Sequence, residues 1–117
     1  MMRLALAILV LTSGAAWAEE VSRGTGAVMR VLDKLTGVSR DVELADGASA
    51  QMGRLQLELA ECRYPAGDPS GNAYAFVTVR DVDGAPVFSG WMIASSPALN
   101  ALDHARYDVW VMRCKTS

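Results

Sequence analysis

The side chains of this sequence with chemistry to offer are two cysteines, a single histidine, scattered serines and carboxylates, and a small aromatic set. Cys62 and Cys114 are separated by 51 residues. They lack the C-x-x-C spacing of a dithiol redox site and the C-x-x-C-H spacing of covalent haem. With His104 as the one imidazole and no close spacing among the three, they make a poor zinc set. No metal and no cofactor is therefore expected. In an exported protein the expectation is a structural Cys62–Cys114 disulfide, with a free, exchangeable thiol pair as the alternative.

Nucleophilic catalysis would draw on Ser89, Ser95 or Ser96 with His104 and Asp103 or Asp108. The G-x-S-x-G elbow that exposes a serine nucleophile is missing, and Ser96 precedes Pro97 as a helix cap would. The carboxylate pairs Asp81/Asp83 and Glu58/Glu61 have the residue types for glycosidic acid–base chemistry. The first flanks a turn and the second straddles an expected strand irregularity, so solvated charge explains both. Asp81-x-Asp83-Gly84 is too short for the twelve-residue calcium loop. A non-catalytic protein is the expectation.

The aromatic residues are the best binding candidates. Trp91 and Trp110 fall on two apolar runs, and Tyr74 and Tyr107 can share their neighbourhood. Exposed, they form a platform for a sugar, peptide or protein. Buried, they are the core of a small domain, which needs large side chains. A further candidate surface is the 95–106 segment, a connection between two strands.

These residues need a scaffold, and the chain has 117 residues from which to build it. Residues 1–18, MMRLALAILVLTSGAAWA, combine Arg3, an apolar run from Leu4 to Leu11 and the small-x-small ending Ala16-Trp17-Ala18. That is the pattern of a secretory signal peptide cleaved after Ala18. The apolar run is too short for a membrane-spanning helix, which needs about 20 residues. The expectation is a periplasmic protein that does not span the membrane after cleavage. Losing Arg3 changes the formal net charge from −2 to −3. With a negative balance and scattered arginines, nucleic acid is not an expected partner.

Residues 19–26 read as a flexible lead-in and 27–115 as a single β domain. Strand signals fall at 27–32, 38–44, 54–59, 73–79, 87–94 and 107–112. In the second, Val38, Val42 and Leu44 share one parity with Arg40. In the third, Leu55, Leu57 and Leu59 share a face, while Cys62 falls on the opposite parity. A buried Cys62 therefore requires a bulge near Ala60-Glu61 or a strand covered on both sides. The 64–72 stretch, YPAGDPSGN, packs two prolines and two glycines into nine residues and must be a loop. Asp83-Gly84 predicts a hairpin joining its two flanking runs. Ser96-Pro97 with Leu99 and Leu102 predicts a short helix over 97–103. The last run, apolar on both parities, predicts a central strand covered on both faces. The fold class is thus mainly β, a small antiparallel barrel or sandwich of about six strands with one short helix.

The block FSGWMIASSPAL (88–99), followed by YDVWV (107–111) and Cys114, resembles the exported bacterial proteins grouped as domain of unknown function 2155. Leu32-Asp33-Lys34 with Thr36-Gly37, and Gly53-Arg54-Leu55 leading into Cys62-Arg63, resemble it too. The likeness runs over about 27–115. It implies a mainly alphaproteobacterial envelope protein with a paired cysteine, and it carries no catalytic or ligand-binding residue onto this sequence. It also implies a protein partner in the envelope, with a respiratory membrane complex as one candidate. The expected function is a non-catalytic periplasmic binding or accessory module. A small-ligand or glycan-binding module using Trp91 or Trp110 is the alternative, and a small hydrolase the third reading.

Overall fold

Strand-forming runs alternate with glycine-bearing turns throughout, and no helix forms among the described residues. A computed structural model of the chain describes residues 20–117; residues 1–18, expected to be a signal peptide, lie outside them. Eight strands follow in order: β1 (Val21–Arg23), β2 (Gly26–Asp33), β3 (Ser39–Ala45), β4 (Ser49–Met52), β5 (Leu55–Pro65), β6 (Tyr74–Asp81), β7 (Pro86–Ile93) and β8 (Tyr107–Lys115). One sheet runs β1-β5-β6-β7, with β4 also paired to β5; the other runs β3-β2-β8. Every pairing is antiparallel. The two sheets face each other as a sandwich and do not close into a barrel.

Alternation decides which side chains lie between the sheets. Leu55, Leu57 and Leu59 of β5 and Ala75, Val77 and Val79 of β6 meet Ala27, Met29 and Val31 of β2 and Val109 and Val111 of β8, all buried in one cluster. The expected irregularity is present: Leu59 pairs with Val77 and Glu61 with Phe76, so Ala60 is the extra residue of a bulge. It turns Cys62 inward, where it is fully buried. Cys62 and Cys114 are disulfide-bonded, with Cα atoms 5.6 Å apart, and tie β5 of one sheet to β8 of the other.

Turns match the glycines where the backbone needs φ > 0. Gly84 (φ 84°) closes the β6–β7 hairpin that Asp83-Gly84 predicts, and Gly53 (φ 60°) opens the two-residue turn between β4 and β5.

The structure corrects four expectations. Val21–Arg23, expected in a flexible lead-in, pairs with residues 63–65 of β5. Ser49–Met52 adds a short strand whose Ala50 and Met52 are half-buried. Strand β8 is not central: it pairs with β2 alone, at an edge. The 97–103 helix is replaced by turns, with the Leu99 N–H donating to Ser96 O at 3.0 Å. A segment this short barely repays helix nucleation. Its side chains also do not share a face, because Leu102 is buried while Leu99 is 74% exposed. Asn100 donates to Trp91 O at 2.8 Å, holding the segment flat against edge strand β7.

Candidate functional site

The outward parity of the larger sheet is where alternation ordinarily puts polar side chains. Near the β1 end it instead carries aromatics. Register aligns Arg63, Tyr74 and Ile93 in one row, and Glu61, Phe76 and Trp91 in the next. Phe76 and Trp91 meet edge to face, with ring centroids 5.4 Å apart and planes at 77°. The Arg63 guanidinium lies over the Trp91 ring, 5.3 Å from its centroid. Glu61 steadies this arginine through an ion pair with Nη2 and reaches Arg23 of β1 at 3.5 Å. Asn72 donates to the Tyr74 hydroxyl at 3.2 Å. Trp91 remains 37% exposed and Val21 42%. Between them lies a shallow recess of about 270 Å³ lined by Val21, Arg63, Tyr74 and Trp91. Cation, ring faces and an apolar floor in one place suit a partner that offers apolar surface and hydrogen-bonding edges.

The four aromatic candidates do not form one site. Trp91 and Tyr74 share the outer face just described. Trp110 is half-buried on the outer face of the other sheet, in register with Arg30. There Arg30 and Asp41 form a two-pronged ion pair, at 2.7 and 3.0 Å. This bonding holds the Asp41 carboxyl below the usual carboxylate range and raises the Arg30 guanidinium. Tyr107 points inward and is only 3% exposed.

Tyr107 belongs to a second constellation, at the end of the sandwich far from the disulfide. Asp33, at the end of β2, accepts from Arg106 at 2.9 Å and from the backbone N–H groups of Leu35 and Thr36 at 3.0 and 3.4 Å. The guanidinium foremost, then those amides, lower the Asp33 pKa, and Arg106 is raised in return. Arg106 also lies 5.2 Å from the centre of the Tyr107 ring. The Tyr107 hydroxyl accepts the Arg54 N–H at 3.2 Å. A cleft of about 410 Å³ opens here, with Val31, Arg40, Gln51, Met52, Gly53 and Tyr107 among its walls.

Several of the other sequence candidates are engaged in local structure. His104 Nδ1 accepts the backbone N–H groups of Arg106 and Tyr107 at 3.0 and 3.2 Å, and no hydrogen bond joins it to a hydroxyl among the described residues. Ser89 pairs with Thr78 across the strands at 3.2 Å. Glu58 bonds Arg80, and Asp81 accepts the Val82 N–H. No cluster of three or more His, Cys, Asp or Glu suited to a metal gathers among the described residues. Nor is any helix there long and apolar enough to cross a membrane.

The sequence matches, over residues 27–114, the family described as uncharacterized protein conserved in bacteria (DUF2155). The chain belongs to that family. One similar relative is the uncharacterized protein RP359 of Rickettsia prowazekii (strain Madrid E), 24% identical over 102 residues. The alignment covers 84% of this chain and 66% of the relative, so the chain spans about two thirds of that protein's length. No solved structure matches the chain. The DUF2155 region holds both constellations apart from Val21 and Arg23, and the resemblance read from the 88–99 block and its companions is confirmed.

Sequence reasoning missed Phe76 and Arg63 as members of the aromatic face. The signal was available in β6: Tyr74, Phe76, Thr78 and Arg80 share a parity that turns polar, while Ala75, Val77 and Val79 share one that does not. The cleft was less legible, because its walls come from four separate segments.

Proposed function

We propose that this protein is a non-catalytic binding module, exported to the periplasm, that docks on a protein complex of the cell envelope through the aromatic outer face of its larger sheet. The observation that carries this reading is Trp91, 37% exposed among Phe76, Tyr74, Arg63 and Val21 on a face that owes nothing to the core. Tryptophan, tyrosine and arginine supply most of the energy at protein interfaces, and a contiguous exposed apolar patch is uncommon on a surface without a partner. Export is supported by the 1–18 sequence pattern and by the Cys62–Cys114 bridge, which persists in oxidising compartments. An inner-membrane assembly, with a respiratory complex as the first candidate, is the partner class consistent with an envelope location.

Affinity capture from detergent-solubilised envelope tests the reading. Tagged wild-type protein should recover a reproducible partner that the Trp91→Ala variant loses and a Trp110→Ala variant keeps. Recovery of no reproducible partner by the wild type, or equal recovery by Trp91→Ala, would overturn it.

The recess beside Trp91 also supports a second reading, glycan or small-ligand binding on the Trp91 and Tyr74 rings. Trp110 has no part in such a site, since it lies on the other sheet. A glycan panel that shifts Trp91 fluorescence saturably would favour this reading over a protein partner.

A further inference from the structure

Strands β3 and β4 are joined by the Asp46-Gly47 turn but belong to different sheets, and they diverge from that turn. The cleft of about 410 Å³ opens between their diverging ends, within the usual range for small-molecule sites. We infer that this cleft is a separate binding site for a monoanionic ligand: a carboxylate carried on a short apolar body.

Arg40 is the first ground. Its strand turns Leu44 into the core and half-buries Val42 on the same parity, and Arg40 itself is in register with the buried Val31. Arg40 shares that parity yet is exposed, so its guanidinium sits at the surface of the cleft and not in the core. Arg40 lines the cleft and makes no ion pair or hydrogen bond among the described residues. Arg30 and Arg106, by contrast, are each held by an aspartate through paired bonds.

Charge balance is the second ground. The charged residues of the cleft wall are Asp33, Arg40 and Arg106. Asp33 and Arg106 neutralise one another, which leaves Arg40 as one uncompensated positive charge. A single carboxylate brings the cleft to neutrality, and arginine meets a carboxylate with two parallel N–H donors. A phosphate dianion would carry a surplus charge with no second free cation in the wall.

Further polar and apolar groups are set around that charge. The Tyr107 hydroxyl accepts from Arg54 N–H, and it donates no hydrogen bond among the described residues, so its proton remains to be given. Gly53 makes room for that hydroxyl: a Cβ at this position would lie 2.5 Å from Tyr107 Oη. Gln51 fixes its amide nitrogen on Gly53 O at 3.2 Å, which leaves its side-chain oxygen to accept from a ligand N–H. Val38, 50% exposed, and the half-buried Met52 supply apolar walls beside the Tyr107 ring. Two sources offer this chemistry: the C-terminal residue of a peptide, and a free short-chain acid. The Gln51 oxygen has a partner only in the first.

The test is a ¹⁵N–¹H NMR titration of the disulfide-bonded protein with N-acetyl-leucine, N-acetyl-leucinamide and 4-methylpentanoate. N-acetyl-leucine is expected to shift the amides of Arg40, Gln51, Gly53 and Tyr107 saturably. The uncharged amide should bind about tenfold more weakly or worse, as loss of a charge-assisted hydrogen bond predicts. Arg40→Gln, an exposed substitution whose own spectrum shows that the fold is kept, should reproduce that loss for the acid. If 4-methylpentanoate matches N-acetyl-leucine, the site takes free acids; if it is much weaker, the site takes chain termini. Absence of saturable shifts with either acid, equal binding of acid and amide, or unchanged binding by Arg40→Gln overturns the inference. Because the aromatic face lies on another surface, Trp91→Ala should leave these titrations unchanged.

Discussion

Cys62 and Cys114 each reach the core face through an extra residue two positions upstream in their own strand. In β5 that residue is Ala60, between the pairs Leu59–Val77 and Glu61–Phe76. In β8 it is Met112, between Val111–Met29 and Arg113–Val28. Without the bulges, Leu59 and Val111 would still face inward and the cysteines, each three residues later and so on the opposite parity, would face solvent on opposite sides of the sandwich. The paired irregularities bring the two Cα atoms to 5.6 Å across the sheets.

The bridge should contribute strongly to stability. It closes a loop with a sequence separation of 52, for which chain entropy gives about 4 kcal/mol at best. Urea unfolding of Cys114→Ala against wild type should show a loss of about 2–4 kcal/mol. Intact-mass measurement should find two alkylatable thiols in the wild type only after reduction.

Removing one bulge should undo the bridge without touching a cysteine. Deleting Ala60 while β5 keeps its pairing with β6 turns Cys62 to the solvent face. Both thiols should then alkylate in the unreduced protein. Ala60→Ser, a change at an exposed position, should leave them protected.

The sequence shows the β5 irregularity because its alternation is clean: three leucines on one parity make Cys62 conspicuously out of phase. Nothing comparable marks β8, where Trp110 and Met112 make the second parity as apolar as the first. That run reads as a doubly covered strand, whereas β8 is an edge with a half-buried tryptophan outside. The short helix expected over 97–103 rests on a cap and a three-residue leucine spacing, both local signals. Asn100 and Leu102 instead bind to β7 and the core, and tertiary contact overrides them. Of the aromatic set, Trp91 and Tyr74 line one recess. Tyr107 and Trp110 went elsewhere because period-two alternation sends neighbouring parities to opposite faces, and a list of aromatic residues carries no parity.

Gly53 and Tyr107 should be energetically coupled. Gly53 has φ of 60°, and a Cβ there would lie 2.5 Å from the Tyr107 hydroxyl oxygen. Gly53→Ala should cost about 1–3 kcal/mol, from backbone strain together with overlap. Only the overlap is relieved by Tyr107→Phe, so in that background the same change should cost less, with a coupling of about 1 kcal/mol. A double-mutant cycle by urea unfolding measures it; equal costs in both backgrounds would exclude the contact.

Acid should weaken the fold through Asp33 and Asp41. Both carboxyls lie below their ordinary value of 3.8 in the folded chain, held there by Arg106 and Arg30. As pH falls through 3.8 the unfolded chain takes up protons first, so stability decreases toward and through the folded-state values and is fully present above the ordinary one. Thermal melts from about pH 5 to pH 2 should show this slope. Asp33→Asn should flatten it, and an unchanged slope would mean that the Asp33–Arg106 pair does not carry it.

Trp91 should matter far less for stability than a core residue does, which is what a side chain presented to a partner requires. It is 37% exposed and keeps one edge-to-face contact, with Phe76. Such a pair is worth about 0.5–1.5 kcal/mol beyond area burial. Leu57, fully buried between the sheets, should cost about 2–5 kcal/mol on truncation to alanine. Urea midpoints for Trp91→Ala and Leu57→Ala should therefore separate clearly. A Trp91→Ala variant as unstable as Leu57→Ala would make the tryptophan a structural residue, and loss of partner capture by that variant would then follow from unfolding and not from the missing ring.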